Sequence, residues 1–406
     1  MELDSGKALS VSVKRGHDKP AFRGGTPVIR SPLRIGASIG NEEQEAVASV
    51  LRRGILSEFR GGEEVRAFEK AFARMHRRKY GIAVSSGTAA LHAAMKALEV
   101  GPGDEVIVPA LTFVSTATCV LQEGGIPVMA DLDPETLCIS PESVRRSLSK
   151  RTKAVILVHL YGHAAKVDEL LEIARSHDIA IVEDCAQACG TKLKNRFVGA
   201  FGHLACFSFF QTKNLTCGEG GMILTDSEML MRKARLAREH GSPLNKRTWY
   251  NYESLGFNYN MSEVQAAIGL AQLRKLKTMI GKRREIATIY SDQLEGRGMI
   301  LPTEPKDAQY SYSLFTVRLP TSWASRRNSL VSAVRLENAP IDIAYPIPLY
   351  RCRLFASYKW KIDPEGCYVS ETHSKRLFNL FTSPSLSNAN AHKIGEAVAR
   401  VHGALR

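Results

Sequence analysis

The sequence predicts an α/β protein: a large domain on a mainly parallel sheet covered by helices, then a smaller C-terminal α+β domain. Three observations predict it. The chain has 406 residues, which at ~150 residues per domain makes two or three domains. From about residue 36, short apolar bursts alternate with amphipathic stretches, the strand–helix–strand order of a parallel sheet with both faces covered. From about Ser311 the texture changes to isolated strand and helix patterns.

Residues 1–35 read as a polar, basic arm without periodicity, and residues 36–280 as the large domain. Helices are expected over Glu42–Arg53 and Glu64–Met75. The short apolar run Ile82-Ala83-Val84 precedes a helix over Thr88–Leu98, with Leu91, Met95 and Leu98 on one face and Thr88 as a suitable N-cap. Apolar strands follow at Glu105–Pro109, Pro127–Ala130, Ala154–His159, Ile179–Val182, Leu204–Phe207 and Met222–Thr225, with helices at Val167–Ser176 and Glu228–Glu239 between and after them. Ser262-Glu-Val-Gln265 has the form of a capping box. Val264, Ala267, Ile268 and Ala271 then mark one helix face, and a long basic helical stretch continues it. In the C-terminal domain, residues 281–406, Ser311–Leu319 alternates like a strand, while Ser325–Leu336 and Ala391–Val401 are helical.

With 44% hydrophobic and 24% charged residues, the chain has an ordinary globular mix, which excludes a disordered or collagen-like protein. No run approaches ~18 apolar residues, so no transmembrane helix is expected. The first residues contain no apolar core of a secretory signal. The net charge is 55 − 41 = +14, a field that attracts anions. The six basic residues between Arg274 and Arg284 read as a solvated helix face. Without an aromatic-interleaved basic repeat, no nucleic-acid partner is expected. The eight cysteines form no CxxC pair. They read as reduced thiols of a cytoplasmic protein, and their spacing does not suit zinc. His159 and His163 straddle a turn after a strand, so no metal site is expected there.

Three segments carry chemistry. Ser85-Ser86-Gly87-Thr88 opens a helix, where free N–H groups and the helix dipole bind an anion and glycine permits close approach. Alone, it is also what any capped helix looks like. Glu183-Asp184 ends an apolar strand; a semi-buried carboxylate there calls for a cation, which a protonated ring nitrogen or an arginine supplies. Lys213 lies between the aromatic Phe207-Ser208-Phe209-Phe210 and the turn Gly218-Glu219-Gly220-Gly221. Apolar surroundings depress a lysine pKa and make the amine nucleophilic toward a carbonyl. Alone, Lys213 is also compatible with the surface. Together the three describe a pyridoxal 5'-phosphate (PLP) site: anion cradle, ring-nitrogen carboxylate and Schiff-base lysine.

The chain resembles the DegT/DnrJ/EryC1/StrS family of sugar and cyclitol aminotransferases, PLP-dependent transferases of fold-type I, from about residue 22 to its end. The resemblance rests on Ser85–Leu91, Asp104–Val114, Asp131–Thr136, His159–Gly162, Val182–Ala188, Ser208–Gly221, Arg238–Gly241 and Gly256–Glu263. It implies Lys213 as the Schiff-base lysine and proton shuttle, and Asp184 as partner of the pyridine nitrogen. It implies Phe113 stacked on the ring, Gln187 at its phenolic side, and Gly87, Thr88 and Ser208 on the phosphate. Asn258 would reach the phosphate bound by a neighbouring subunit, which makes the expected assembly a homodimer with shared sites. Many relatives have Arg where this chain has Asn260, and His where it has Tyr350. The loop Ser57–Gly62 matches one near the acceptor. The implied reaction moves an amino group from L-glutamate or L-glutamine to a keto-sugar or keto-cyclitol. Dehydratases of the family carry His in place of the lysine, so Lys213 argues against that chemistry, and a PLP-binding regulator without turnover is the other alternative.

Overall fold

The computed structural model describes residues 19–58, 62–243 and 250–406. In chain order its helices are α1 (Asn41–Arg53), α2 (Glu63–Met75), α3 (Gly87–Ala97), α4 (Ser115–Gln122), α5 (Pro141–Ser147), α6 (Val167–His177), α7 (Glu228–Arg238), α8 (Glu263–Leu294), α9 (Arg327–Leu336), α10 (Tyr368–Ser374) and α11 (Asn388–Leu405). Its strands are β1 (Tyr80–Val84), β2 (Glu105–Pro109), β3 (Ile126–Ala130), β4 (Thr152–Val158), β5 (Ala180–Asp184), β6 (Lys192–Leu193), β7 (Arg196–Phe197), β8 (Leu204–Ser208), β9 (Gly221–Thr225), β10 (Ala308–Gln309), β11 (Leu314–Arg318), β12 (Ile341–Asp342), β13 (Lys361–Ile362) and β14 (Leu377–Phe381).

The large sheet has the order β1-β9-β8-β5-β4-β2-β3-β13. From β8 to β13 every pairing is parallel; β9 runs antiparallel to both β1 and β8. The strands alternate between two cores, because successive side chains leave a strand on opposite faces. Val106, Val108, Ile156 and Val182 pack with α3, α4 and α7. Ala83, Ile107, Val155, Leu157 and Ile181 pack on the other face with α2, α6 and the start of α8. Both faces are therefore dry, as continuous apolar strands require.

At ~1.5 Å per residue, the 32-residue α8 is about 48 Å long. Its capping box forms as expected: Ser262 N donates to Gln265 Oε1 at 2.9 Å and Gln265 N to Ser262 Oγ at 3.3 Å. The Glu263 carboxylate accepts the N–H groups of Gly62, Glu64 and Val65, fixing the start of α8 against the start of α2. Between Ile280 and Ile286 the helix passes unbroken from the large core to a third core, built with β11-β14-β12, α9 and α11. The chain returns to the large sheet with β13, which extends β3. No described helix is long and apolar enough to cross a membrane.

Three expectations need correction. The N-cap of α3 is Ser86, whose Oγ accepts the Ala89 N–H at 3.1 Å; Thr88 lies inside the first turn. The basic run on α8 is not one solvated face, since Arg283 is buried. Lys275, Lys282 and Arg284 of that run pair with Glu43, Glu285 and Glu304. The expected arm has residues 1–18 outside the described residues, and its remainder is docked. Ile29 is buried in the third core, and Ala21 N and Val28 N donate to the Glu337 carboxylate, both at 2.8 Å.

Arg238, at the end of α7, is buried between Glu69 and Glu239, 2.8 Å from each. Replacing it by methionine leaves the buried Glu239 without its cation and Glu69 with only the more distant Arg235 at 3.7 Å, so Arg238→Met should lose about 3–5 kcal/mol in urea denaturation. A loss within the ~1 kcal/mol of an exposed pair contradicts this reading.

Candidate active site

The carboxyl ends of β1, β5 and β8 point the same way, and a cavity of about 380 Å³ opens there, the edge where parallel sheets bind ligands. Each expected residue but one lines it: Gly87, Thr88, Phe113, Asp184, Gln187, Ser208 and Lys213.

The anion cradle follows from local geometry. The first N–H groups of a helix lack intrahelical acceptors. Ser86 takes that of Ala89, leaving those of Gly87 and Thr88 at the cavity wall. A Cβ on residue 87 would sit 2.7 Å from Ser208 Cβ. Glycine is therefore what lets the end of β8 close on the start of α3. Thr88 Oγ1 hydrogen-bonds Ser115 Oγ at 2.7 Å, fixing the threonine against α4.

Glu183 and Asp184 are adjacent on β5, face opposite ways, and are satisfied very differently. Glu183 Oε2 accepts from His159 Nε2 (3.1 Å) and Gly199 N (2.7 Å). Its Oε1 accepts from Phe201 N (2.7 Å) and Gly202 N (2.6 Å). Burial pushes its pKa up, but His159 and these N–H groups outweigh it and hold the pKa below the usual 4.5. Among the described residues, Asp184 accepts only from Thr116 Oγ1 and Ala186 N, each at 3.0 Å. Burial dominates there and raises its pKa. Asp184 is thus a buried carboxylate with room for a cation, and Glu183 is not.

Lys213 follows the aromatic end of β8, its N–H donating to Phe210 O at 2.9 Å. Burial lowers its pKa, and attraction to Asp184 opposes that only in part. Phe113, in the turn between β2 and α4, is 56% exposed at the cavity. It is no core aromatic, but an apolar face free to cover a ring. Gln187 Oε1 accepts the Tyr161 N–H at 2.8 Å, and its amide N–H donates to Tyr345 OH. Tyr161 and Tyr345 both adopt left-handed backbone, φ 59° and 60°, a strained conformation for an aromatic residue.

Asn258 is the exception: it is exposed, accepts from Asn260 Nδ2 at 3.2 Å, and is not part of the cavity of its own chain. Tyr350 donates to Glu371 Oε1 at 2.9 Å and stacks on Trp360. In the loop Ser57–Gly62, residues 59–61 lie outside the described residues. Sequence reading missed Thr116 and Tyr345. The Thr112/Thr116 spacing, one helical turn, was the available signal for Thr116.

His159, Glu183 and Cys185 place three potential ligand atoms within 4.8 Å of one another. Both Glu183 oxygens are filled by protein donors, and His159 Nδ1 accepts from Ala165 N at 3.1 Å. Burial pushes the Cys185 thiol up. The group serves to hold β5, not to bind a metal.

A half-buried lysine and an under-satisfied carboxylate beside an open helix N-terminus, on this sheet, define a fold-type I aminotransferase architecture. The chain belongs to the DegT/DnrJ/EryC1/StrS aminotransferase family, whose model matches residues 37–399. It is 35% identical over 333 residues to GDP-perosamine synthase of Vibrio cholerae, covering 82% of this chain and 89% of that one. It is 36% identical over 346 residues to UDP-N-acetyl-3-dehydro-alpha-D-glucosamine 3-aminotransferase of Acidithiobacillus ferrooxidans, covering 84% and 90%. The crystal structure of S. venezuelae DesV in complex with a ketimine intermediate matches with a TM-score of 0.81 at 34% identity, covering 88% of this chain and 93% of that one.

Glu183 also makes an acid-stability prediction. Its folded pKa lies below the unfolded 4.5. Its contribution is therefore complete above that pH and is lost as pH falls through the folded value. The stability of the protein should drop below pH ~4.5, and Glu183→Gln should flatten that drop while lowering stability at neutral pH. An unchanged pH dependence of denaturation in the variant contradicts it.

Proposed function

We propose that this chain binds PLP in the cavity and transfers an amino group from L-glutamate or L-glutamine to a keto-sugar or keto-cyclitol. The observation that carries the reading is the meeting in one cavity of Lys213, its pKa lowered by burial, with Asp184, its pKa raised by burial. A cofactor with an anionic phosphate and a cationic ring nitrogen fits both ends of that cavity.

When bound, PLP supplies an electron sink that acidifies the hydrogen on the amine-bearing carbon of the substrate. The residues do the rest. Gly87, Thr88 and Ser208 hold the phosphate, and Phe113 covers the ring and excludes water. Asp184, kept in place by Thr116 and Ala186, faces the ring nitrogen and keeps it protonated. Gln187, oriented by Tyr161 and Tyr345, lies at the phenolic side. Lys213 Nζ anchors the cofactor, and its free amine takes up and returns the proton of the substrate carbon. Its depressed pKa raises the neutral, proton-accepting fraction at a given pH.

The relatives' names favour a nucleotide-linked keto-sugar as acceptor, since one names a UDP-linked 3-dehydro sugar. The lysine favours aminotransfer over the dehydratase reading. We further propose a cytoplasmic homodimer with shared sites. Asn258 is exposed outside its own cavity, and Ile39, Leu51, Ile55 and Leu56 around α1 form exposed apolar surface.

Lys213→Ala should abolish amino transfer, a loss of at least ~10³-fold, with an unchanged circular dichroism spectrum; retained turnover removes the PLP reading. Asn258→Ala should weaken PLP binding in a dimer, measured by cofactor titration and light scattering. A fully active monomer contradicts shared sites.

A further inference from the structure

A second cavity, of about 400 Å³, shares Gln187, Thr212 and Lys213 with the first. Its wall includes Arg283, which sits in an unexpected place. On α8, Leu276, Met279 and Ile280 precede it at seven, four and three residues, and Ile286, Ala287 and Tyr290 follow at three, four and seven. All six are buried apolar residues, so the guanidinium interrupts the buried stripe of the helix.

Arg283 is 5% exposed. Its Nη1 donates to Thr382 Oγ1 at 3.1 Å and to Ser313 O at 3.4 Å, both neutral, and its buried Nε has no partner. It forms no ion pair among the described residues, whereas its neighbours Lys282 and Arg284 do. The one acidic residue described in the cavity wall, Asp342, is turned to Arg335 at 3.4 Å. Burial lowers the Arg283 pKa to about 10, which still leaves it charged at neutral pH. A buried cation without an anion is costly unless a ligand completes it. Guanidinium is the group suited to a carboxylate, through paired N–H donors.

We propose that Arg283 receives a carboxylate of the amino-acid donor in this second cavity, and so determines donor specificity. The inference rests on the function proposed above, because that reaction requires a carboxylate-bearing donor beside Lys213.

The test is calorimetric titration of the PLP-loaded protein with glutarate, a donor analogue without the amine, and separately with UDP, which carries an acceptor-type diphosphate. Wild type should bind glutarate. Arg283→Gln should bind it at least about tenfold more weakly, the loss of one charge-assisted hydrogen bond, with UDP binding unchanged. Arg283→Lys, which keeps the charge without the fork, should lie between. Steady-state KM for L-glutamate should rise in parallel while kcat changes less. The proposal is overturned if wild type does not bind glutarate or if a folded Arg283→Gln binds it normally. It is also overturned if only UDP binding weakens, which assigns the arginine to the acceptor, or if both weaken together, which makes it structural. Should Arg283→Gln not fold, unchanged glutarate binding in Arg283→Lys overturns it. Repeating the glutarate titration on PLP-free protein separates this result from a failure of the cofactor assignment.

Discussion

The structure turns on one buried carboxylate that the protein leaves incompletely satisfied. Asp184 sits at the end of β5 with two hydrogen-bond donors, while its chain neighbour Glu183 has four. The two acids share a strand and a degree of burial, yet their pKa values move in opposite directions. The difference is the supply of donors. Both Glu183 oxygens are filled by hydrogen bonds within the protein, and it stabilises the fold. Asp184 is held ready for a positive charge from outside, and that is the property a ring-nitrogen partner needs.

The rest of the site is arranged around this constraint. The parallel sheet brings Asp184, Ser208 and the start of α3 to one edge. The missing side chain at Gly87 lets the cradle close to a depth that any Cβ would block. Lys213 is placed where burial withdraws its proton affinity and Asp184 partly restores it, so a cation held at Asp184 would be electrostatically linked to the reactivity of the Lys213 amine. Arg283 is a second incomplete charge at the neighbouring cavity. Both features are local departures from a well-satisfied interior, and such departures concentrate at functional sites.

Much of this was legible in the sequence. Strands buried on both faces are continuous apolar runs, so the parallel β2, β3, β4, β5 and β8 and the antiparallel β9 stood out within two residues of their ends. The three chemistry-bearing segments lie at strand ends, where a parallel sheet gathers them. Short elements were not legible: β6, β7, β10, β12 and β13 are two residues each and exist through their pairing partners. The cap of α3 was misplaced because Ser86 and Thr88 are both competent, and the close contact of Gly87 with Ser208 sets the helix start. Arg283 was hidden by its neighbours. In a run of Lys282, Arg283 and Arg284, charge suggests solvent, and only the 3.6-residue phase places the middle one inside. The unequal satisfaction of Glu183 and Asp184 depends on loop N–H groups from residues 199–202, which no local pattern announces.

The central claim is that Asp184 holds a cation at the ring nitrogen of the cofactor. The most direct measurement is the ¹⁵N NMR shift of the pyridine nitrogen in protein loaded with ¹⁵N-labelled PLP, for wild type and Asp184→Asn at neutral pH. The account predicts a protonated nitrogen in wild type and a neutral one in the variant, with amino transfer falling in step. A neutral nitrogen in wild type, or a protonated one in both, would contradict it.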